Sequence, residues 1–129
     1  MSDSHAITEG IRVHVHARYL PQHSHPEQGQ WLYTYTIRIT NDGDEAAQLL
    51  TRHWIIEDEL GRIEEVRGPG VVGCTPELKP GQAFEYSSYC PLPTPTGSMQ
   101  GSFEMRRPSG ERFDATVAGF RLDAELEYN

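Results

Sequence analysis

The chain has 129 residues, of which 36% are hydrophobic, and this is the size of one domain with a modest core. Its 19 acidic and 11 basic residues give a formal net charge of −8, which disfavours general binding to nucleic acid because phosphate is repelled. No apolar run reaches the ~20 residues of a membrane-spanning helix, and the first residues lack the apolar stretch of a secretion signal. We therefore expect one cytoplasmic domain over residues 1–129 that binds neither membrane nor nucleic acid.

Alternation of apolar and polar residues with a period of two predicts β-strands along much of the chain. The first clear stretch runs from Ile11 to Arg18. The second, from Trp31 to Thr40, is the strongest, because aromatic and β-branched residues fill it without a proline. The side chains expected to face inward together are those of Ile11, Val13 and Val15 in the first stretch and Trp31, Tyr33, Tyr35, Ile37 and Ile39 in the second.

Turn residues then divide the rest of the chain. The turn Asn41-Asp42-Gly43-Asp44 precedes a predicted hairpin of Gln48–Asp58 and Ile63–Val66, in which regular alternation places Leu49 and Trp54 on opposite faces. Three further strands are predicted over Phe84–Tyr89, Met99–Met105 and Phe113–Val117. About seven short strands without a convincing helix predict an all-β fold, an antiparallel sandwich of the immunoglobulin or fibronectin type III class.

Three segments lack a strand pattern. The N-terminal few residues are expected to be flexible, and the acidic tail from Asp123 to Asn129 is expected to fray. Residues 21–28, with two histidines and two prolines, are expected to form an exposed loop.

The nucleophilic side chains have no catalytic context. Cys74 and Cys90 are expected to be reduced thiols, although a bridge between them is compatible with their places near strand ends. Ser87, Ser88 and Cys90 lie outside any nucleophile-elbow motif. We therefore predict no catalytic residues, no enzyme and no cofactor.

The segment Gly68-Pro69-Gly70-Val71-Val72-Gly73 matches the pattern G-x-G-x-x-G. In dinucleotide-binding folds a helix follows this pattern and its N-terminus holds pyrophosphate, but Pro76 and Pro80 exclude a helix here. A structural loop, a partner-facing loop and an anion-binding loop flanked by Arg62 and Arg67 all remain open. The residues predicted to face a partner or an anion are Arg67, Gly68, Gly70 and Gly73, with Gly70 expected at positive φ.

His14 and His16 are the strongest candidates for metal binding. Residues two apart on a strand face the same way, so both imidazoles could bind one divalent ion. The sequence does not locate the further ligands that a stable site needs. A solvated strand face is the alternative interpretation.

A longer pattern resembles the ApaG family, also called CorD, from about Ile11 to Leu122. Its matching residues are Arg52-His53-Trp54-Ile55-Ile56, Asp58, Gly61, Val66-Arg67-Gly68, Gly70-Val71-Val72-Gly73, Pro76, Leu78, Pro80-Gly81, Phe84-Glu85-Tyr86, Leu92, Thr94-Pro95, Gly97, Met99, Gly101 and Met105. The resemblance implies a fibronectin type III-like sandwich, in agreement with the alternation. It further implies a small bacterial cytoplasmic protein, encoded near a diadenosine tetraphosphate hydrolase and linked genetically to cobalt and magnesium handling, and it assigns no catalytic residues.

The resemblance also implies protein binding, because a similar domain occurs in eukaryotic F-box and polymerase-interacting proteins. We therefore expect a non-enzymatic module, monomeric or weakly homo-oligomeric, that binds a protein partner through edge strands and the Gly68–Gly73 loop. The alternative is a weak binder or sensor of divalent metal, or of small molecules that contain phosphate or pyrophosphate.

Overall fold

The computed structural model describes residues 2–124, which form nine β-strands and two short 3-10 turns at Pro21–His23 and Pro26–Gln28. The strands are β1 (Ser2–Thr8), β2 (Ile11–Tyr19), β3 (Trp31–Asn41), β4 (Ala47–Asp58), β5 (Ile63–Pro69), β6 (Glu77–Leu78), β7 (Ala83–Leu92), β8 (Thr96–Arg106) and β9 (Arg112–Asp123). No helix within the described residues is long and apolar enough to cross a membrane.

The strands form two antiparallel sheets. One has the order β1-β2-β3-β7, and the other has the order β5-β4-β8-β9 with the two-residue strand β6 also paired to β4. The predicted antiparallel all-β sandwich is therefore confirmed. The two strands beyond the seven predicted from alternation are β1 and β6.

Strand β1 differs from the expectation of a flexible N-terminus. Residues Ser2–Thr8 pair with β2 along their whole length, from Ser2 opposite Ala17 to Thr8 opposite Ile11. The Thr8 hydroxyl also accepts a hydrogen bond of 3.0 Å from the Thr116 N–H of β9. Pairing with β2 and contact with β9 stabilise a segment whose own residues carry little apolar pattern.

Residues 21–28 and the C-terminal segment were the other two without a strand pattern. Most side chains of residues 21–28 are exposed, as expected, although the segment forms two 3-10 turns and Ser24 is buried. Strand β9 continues to Asp123, and Ala124 is buried with its N–H donating to the Pro95 carbonyl. The expected fraying of residues 125–129 lies outside the described residues.

The core lies between the two sheets, and the inward faces of β2 and β3 are as predicted. Ile11, Val13 and Val15 are fully buried, and in β3 the side chains at alternate positions from Tyr33 to Ile39 are buried, with Trp31 partly buried against them. From the opposite sheet Trp54 contacts this face, with its ring centroid 5.6 Å from that of Tyr35.

A β-bulge in β4 changes which residues face the core. The register with β8 shifts between Leu49 and Thr51, which leaves Leu50 without a residue opposite it on β8. Leu49 and Trp54 are consequently both buried, although regular alternation places them on opposite faces. The bulge lies where β4 meets the segment Gly68–Gly73, called here the glycine-rich loop.

Candidate functional site

The glycine-rich loop ends in a tight hairpin of residues 71–74, called here the 71–74 hairpin. Val71 and Cys74 exchange both main-chain hydrogen bonds, each 2.8 Å long. Val72 and Gly73 form the tip, with φ angles of 43° and 79°. Two central residues at positive φ define a type I′ turn, which suits the right-handed twist of paired strands. The loop is therefore an ordered protrusion.

Gly70 fixes this hairpin to the bulge in β4. Its N–H donates a 2.8 Å hydrogen bond to the Leu50 carbonyl, and its φ of 60° confirms the predicted positive value. A Cβ at this position would collide with the Cys74 carbonyl oxygen. The neighbouring Val71 is fully buried, so the base of the hairpin is part of the core while its tip lies outside.

Arg52 holds the same loop from the inner face of β4. Its Nη1 donates to the carbonyl oxygens of Pro69 at 2.9 Å and Gly70 at 3.0 Å. Its guanidinium covers Gly68, the residue opposite it in β5, where a Cβ would lie 2.9 Å from Nη2. Gly68 is thus required for close approach of an arginine. Sequence reasoning missed this role, and the signal was an arginine on the same face as Trp54.

The two arginines predicted to flank an anion site do not converge on the loop. Arg67 is exposed opposite His53, and it makes no hydrogen bond or ion pair within residues 2–124. Because side chains alternate along a strand, Arg67 points to the face opposite the one that Arg52 occupies. Arg62 lies just before β5, at the end away from the loop, where its Nε is 2.9 Å from Asp58 Oδ2.

The Arg62 partner is a firmly held carboxylate. Burial of Asp58 opposes its ionisation, but hydrogen bonds from the Arg62 and Leu60 N–H groups and from the Arg62 side chain lower its pKa below the usual value. This ion pair closes the turn between β4 and β5. Arg62 therefore has a local structural partner and is not available to the glycine-rich loop.

The main-chain donors of the loop are mostly used within the protein. The N–H groups of Gly70, Val71 and Cys74 all donate to carbonyl oxygens. At the tip, the Val72 side chain is 57% exposed. The loop therefore presents an apolar tip on an ordered base, instead of the converging N–H groups that hold a phosphate.

The predicted metal candidates lie on the outer face of the other sheet. Strand β1 brings His5 opposite His14, with ring centroids 6.2 Å apart, and Asp3 opposite His16, with 2.6 Å between Asp3 Oδ1 and His16 Nδ1. Sequence reasoning missed Asp3 and His5 because it left the N-terminus unassigned. Among residues 2–124, no three His, Cys, Asp or Glu side chains are grouped to hold a metal ion.

Both cysteines are free thiols, Cys74 exposed in the 71–74 hairpin and Cys90 buried in β7. Burial, with a smaller contribution from the Glu64 charge, raises the pKa of Cys90 to about 12. The Cys90 thiol is consequently protonated at neutral pH, and a protonated buried thiol is a poor nucleophile.

Comparison with known proteins places the fold and the loop in a family. The family model described as the ApaG domain matches residues 21–107, which include β3 to β8 and the glycine-rich loop. This chain belongs to the ApaG family. Protein ApaG of Rhodospirillum centenum is 52% identical over 118 residues, covering 92% of this chain and 91% of that protein. Protein ApaG of Anaeromyxobacter dehalogenans is 51% identical over 119 residues, covering 92% and 94%.

A solved structure agrees with the ApaG assignment. The crystal structure of the ApaA protein of Bordetella pertussis superimposes with a TM-score of 0.85 at 47% identity, covering 92% of this chain and 94% of that one. The names of these ApaG relatives state no reaction.

Proposed function

We propose that this ApaG domain is a non-enzymatic module that binds another protein through the 71–74 hairpin. The observation that carries the proposal is the conformation of Val72, an exposed β-branched residue held at a φ of 43°. Left-handed backbone costs an ordinary residue roughly 1–2 kcal/mol, and a β-branched residue there is rare. Strain of this kind persists where the surrounding structure enforces it, and it is concentrated at functional sites.

The surroundings of Val72 support recognition of a protein surface. The exposed valine extends from a base that Gly70 and Arg52 attach to β4. Little conformational entropy is therefore lost when the tip is bound, and a pre-ordered apolar contact favours binding of another surface. We place this binding in the cytoplasm, where Cys74 at the hairpin would stay reduced.

Replacing Val72 with asparagine separates binding from stability. Asn-Gly is a preferred type I′ pair, so Val72→Asn should raise the free energy of unfolding by about 1 kcal/mol while it removes the apolar contact. We expect proteins that the wild-type chain retains from an extract of its own cells to be lost with this variant. The retained proteins are then purified, and calorimetry measures the Kd of each for the wild type and for the Val72→Asn variant.

The matched control is Leu60→Asn, because Leu60 is 70% exposed at the turn between β4 and β5, away from the hairpin. This control should bind purified partners as the wild type does. Equal Kd values for wild type and Val72→Asn, or an equal loss with Leu60→Asn, would contradict binding through the hairpin.

The second candidate function is weak binding of small anions. The guanidinium of Arg67 favours it, because it lies beside the loop and has no hydrogen-bond or ion-pair partner among residues 2–124. The net charge of −8 and the internal use of the Gly70, Val71 and Cys74 donors oppose tight binding. Titration with pyrophosphate and ATP should therefore give weak, salt-sensitive binding that does not depend on the nucleotide base. Saturable, base-selective binding that Arg67→Ala abolishes would favour this alternative. A divalent-metal role is a further alternative. The spacing of His14 and His16 on β2 favours it, and the family resemblance suggests a link to cobalt and magnesium handling.

A further inference from the structure

Two edges of the sandwich are open. Strands β1 and β9 lie against each other, with the Thr116 N–H donating to the Thr8 hydroxyl. Strands β5 and β7 end their sheets on the other side, and within residues 2–124 neither has a strand beyond it. An exposed strand edge carries unpaired N–H and C=O groups that can pair with another chain.

Hydrogen bonds at the two ends of β5 show which of its main-chain groups face outward. Gly70 donates to the Leu50 carbonyl at 2.8 Å, and the Arg62 carbonyl accepts from Asp58 at 3.0 Å. Because bonded and non-bonded positions alternate in an antiparallel pair, the even-numbered residues of β5 point their main-chain groups at β4. The outward groups therefore belong to Ile63, Glu65, Arg67 and Pro69.

Pro69 agrees with this assignment. Proline has no N–H, and within a sheet it is found where the N–H of an edge strand would face solvent. Its carbonyl also accepts a hydrogen bond from Arg52, so that end of the edge is partly occupied. The free pairing groups are thus concentrated at Ile63, Glu65 and Arg67.

We propose that the β5 edge pairs antiparallel with β5 of a second copy of this chain, about a two-fold axis at Val66. In this register Glu65 lies directly opposite Arg67 of the second copy, and symmetry repeats the pair. Both residues have outward main-chain groups, so each pair exchanges its N–H···O=C bonds. Opposite charges directly across a ladder stabilise the pairing. An isologous two-fold contact of this kind closes at a dimer.

The charges of β5 select this register among the symmetric ones. Moving the axis by one residue to Glu65 places that glutamate opposite its own copy, and moving it to Arg67 does the same for the arginine. An axis at Glu64 places two glutamates at a closely spaced, non-hydrogen-bonded position. Like charges directly opposite each other are destabilising. Among the axes from Glu64 to Arg67, only the axis at Val66 leaves these charged residues without a like charge opposite. Axes at Ile63 and Gly68 pair fewer residues of β5 with β5 of the second copy.

The inner face supports the same register. An axis at Val66 places Glu64 opposite Gly68 of the second copy, where the Arg52 guanidinium covers the glycine. Glu64 is exposed in the monomer, so its carboxylate is free to approach that guanidinium. On the outer face, the partner of Glu65 among residues 2–124 is the imidazole of His53, 3.7 Å away. The pairing therefore places an acidic and a basic residue together on each face of the ladder.

The other open edge offers no such selection. Strand β7 carries one charged residue, Glu85, whose Oε1 lies 3.7 Å from Arg38 Nη1. No symmetric register of β7 pairs opposite charges. We therefore assign the self-pairing surface to β5.

Charge reversal combined with mixing tests the proposal. Sedimentation velocity should show concentration-dependent dimers that weaken with added salt, because the pairs are near the surface. Glu65→Arg and Arg67→Glu each place like charges opposite, so each should weaken self-association at least about tenfold. In an equimolar mixture, a dimer of one variant with the other has opposite charges at both contacts between positions 65 and 67. The mixture should therefore dimerise like the wild type. Glu111→Arg, which makes the same change in net charge as Glu65→Arg but at an exposed turn, should dimerise normally.

Three results would overturn the β5 dimer. The first is a wild-type chain that stays monomeric up to roughly 1 mM, where a weak contact would be populated. The second is a loss of association with Glu65→Arg no greater than with Glu111→Arg. The third is a mixture of the two reversed variants that stays monomeric while thermal unfolding shows both to be folded.

Discussion

Replacing Gly70 with alanine is expected to lower the free energy of unfolding by about 3 kcal/mol. Three costs add: a left-handed backbone at alanine, loss of the Gly70–Leu50 hydrogen bond, and exposure of Val71. A Cβ at this position meets the Cys74 carbonyl, with the carbonyl carbon 3.1 Å away, while φ stays at 60°. Relief of that clash requires displacement of the 71–74 hairpin. Displacement breaks the Gly70–Leu50 hydrogen bond and moves Val71 out of the core.

Gly73→Ala is the matched control for this effect. Gly73 also has positive φ, 79°, but no atom lies within 4 Å of a Cβ built there. It should therefore cost only the backbone term, about 1 kcal/mol. Urea unfolding of both variants measures the difference. Equal losses for Gly70→Ala and Gly73→Ala would mean that the loop is not fixed to β4 as described.

Replacing Trp54 with alanine is expected to destabilise the protein by about 3–5 kcal/mol, the usual cost of removing a large aromatic side chain from a core. Trp54 is 3% exposed. Its ring lies edge-on to those of Tyr35, Phe103 and Phe120, with centroids 5.6, 5.9 and 6.2 Å away. These rings come from both sheets, so the loss weakens the contact between them.

The control for Trp54 is Leu60→Ala, in the turn that follows β4. Leu60 is 70% exposed, and its removal should change the free energy of unfolding by no more than about 0.5 kcal/mol. Chemical denaturation followed by far-ultraviolet circular dichroism compares the two. A Trp54→Ala variant that is as stable as Leu60→Ala would contradict the position of the core.

The inward faces of β2 and β3 could be predicted because their alternation is unbroken, so one face is apolar throughout. Strand β4 shows where this reasoning fails. Leu49 and Leu50 are adjacent and equally apolar, so hydrophobicity alone does not show which one faces inward. The bulge that places Leu49 in the core arises from pairing with β8, a segment distant in sequence.

Strand β1 could not be predicted from its own residues. Ser2, Ser4 and Ala6 occupy alternate positions and offer little apolar surface, so no period-two signal appears. The strand forms because β2 and β9 pair with or contact it, which is tertiary information. Recognition of Asp3 and His5 beside the two predicted histidines depended on that pairing.

The candidate site was predicted in part. Gly70 could be placed at positive φ because a Gly-Pro-Gly sequence requires a turn, whereas the contact of Arg52 with this loop depends on the register that sets Arg52 opposite Gly68. Arg62 was wrongly grouped with the loop because it is close in sequence. An extended strand advances about 3.3 Å per residue, so β5 carries the chain well away from Arg62.

Binding of a protein partner by the 71–74 hairpin is tested most directly by crosslinking from the tip of the hairpin. A photoreactive amino acid is introduced in place of Val72 in one chain and in place of Leu60 in another, and both are irradiated in living cells. We predict that position 72 forms a covalent adduct with a distinct second protein and that position 60 does not. No adduct from position 72, or the same adducts at equal yield from position 60, would contradict this binding.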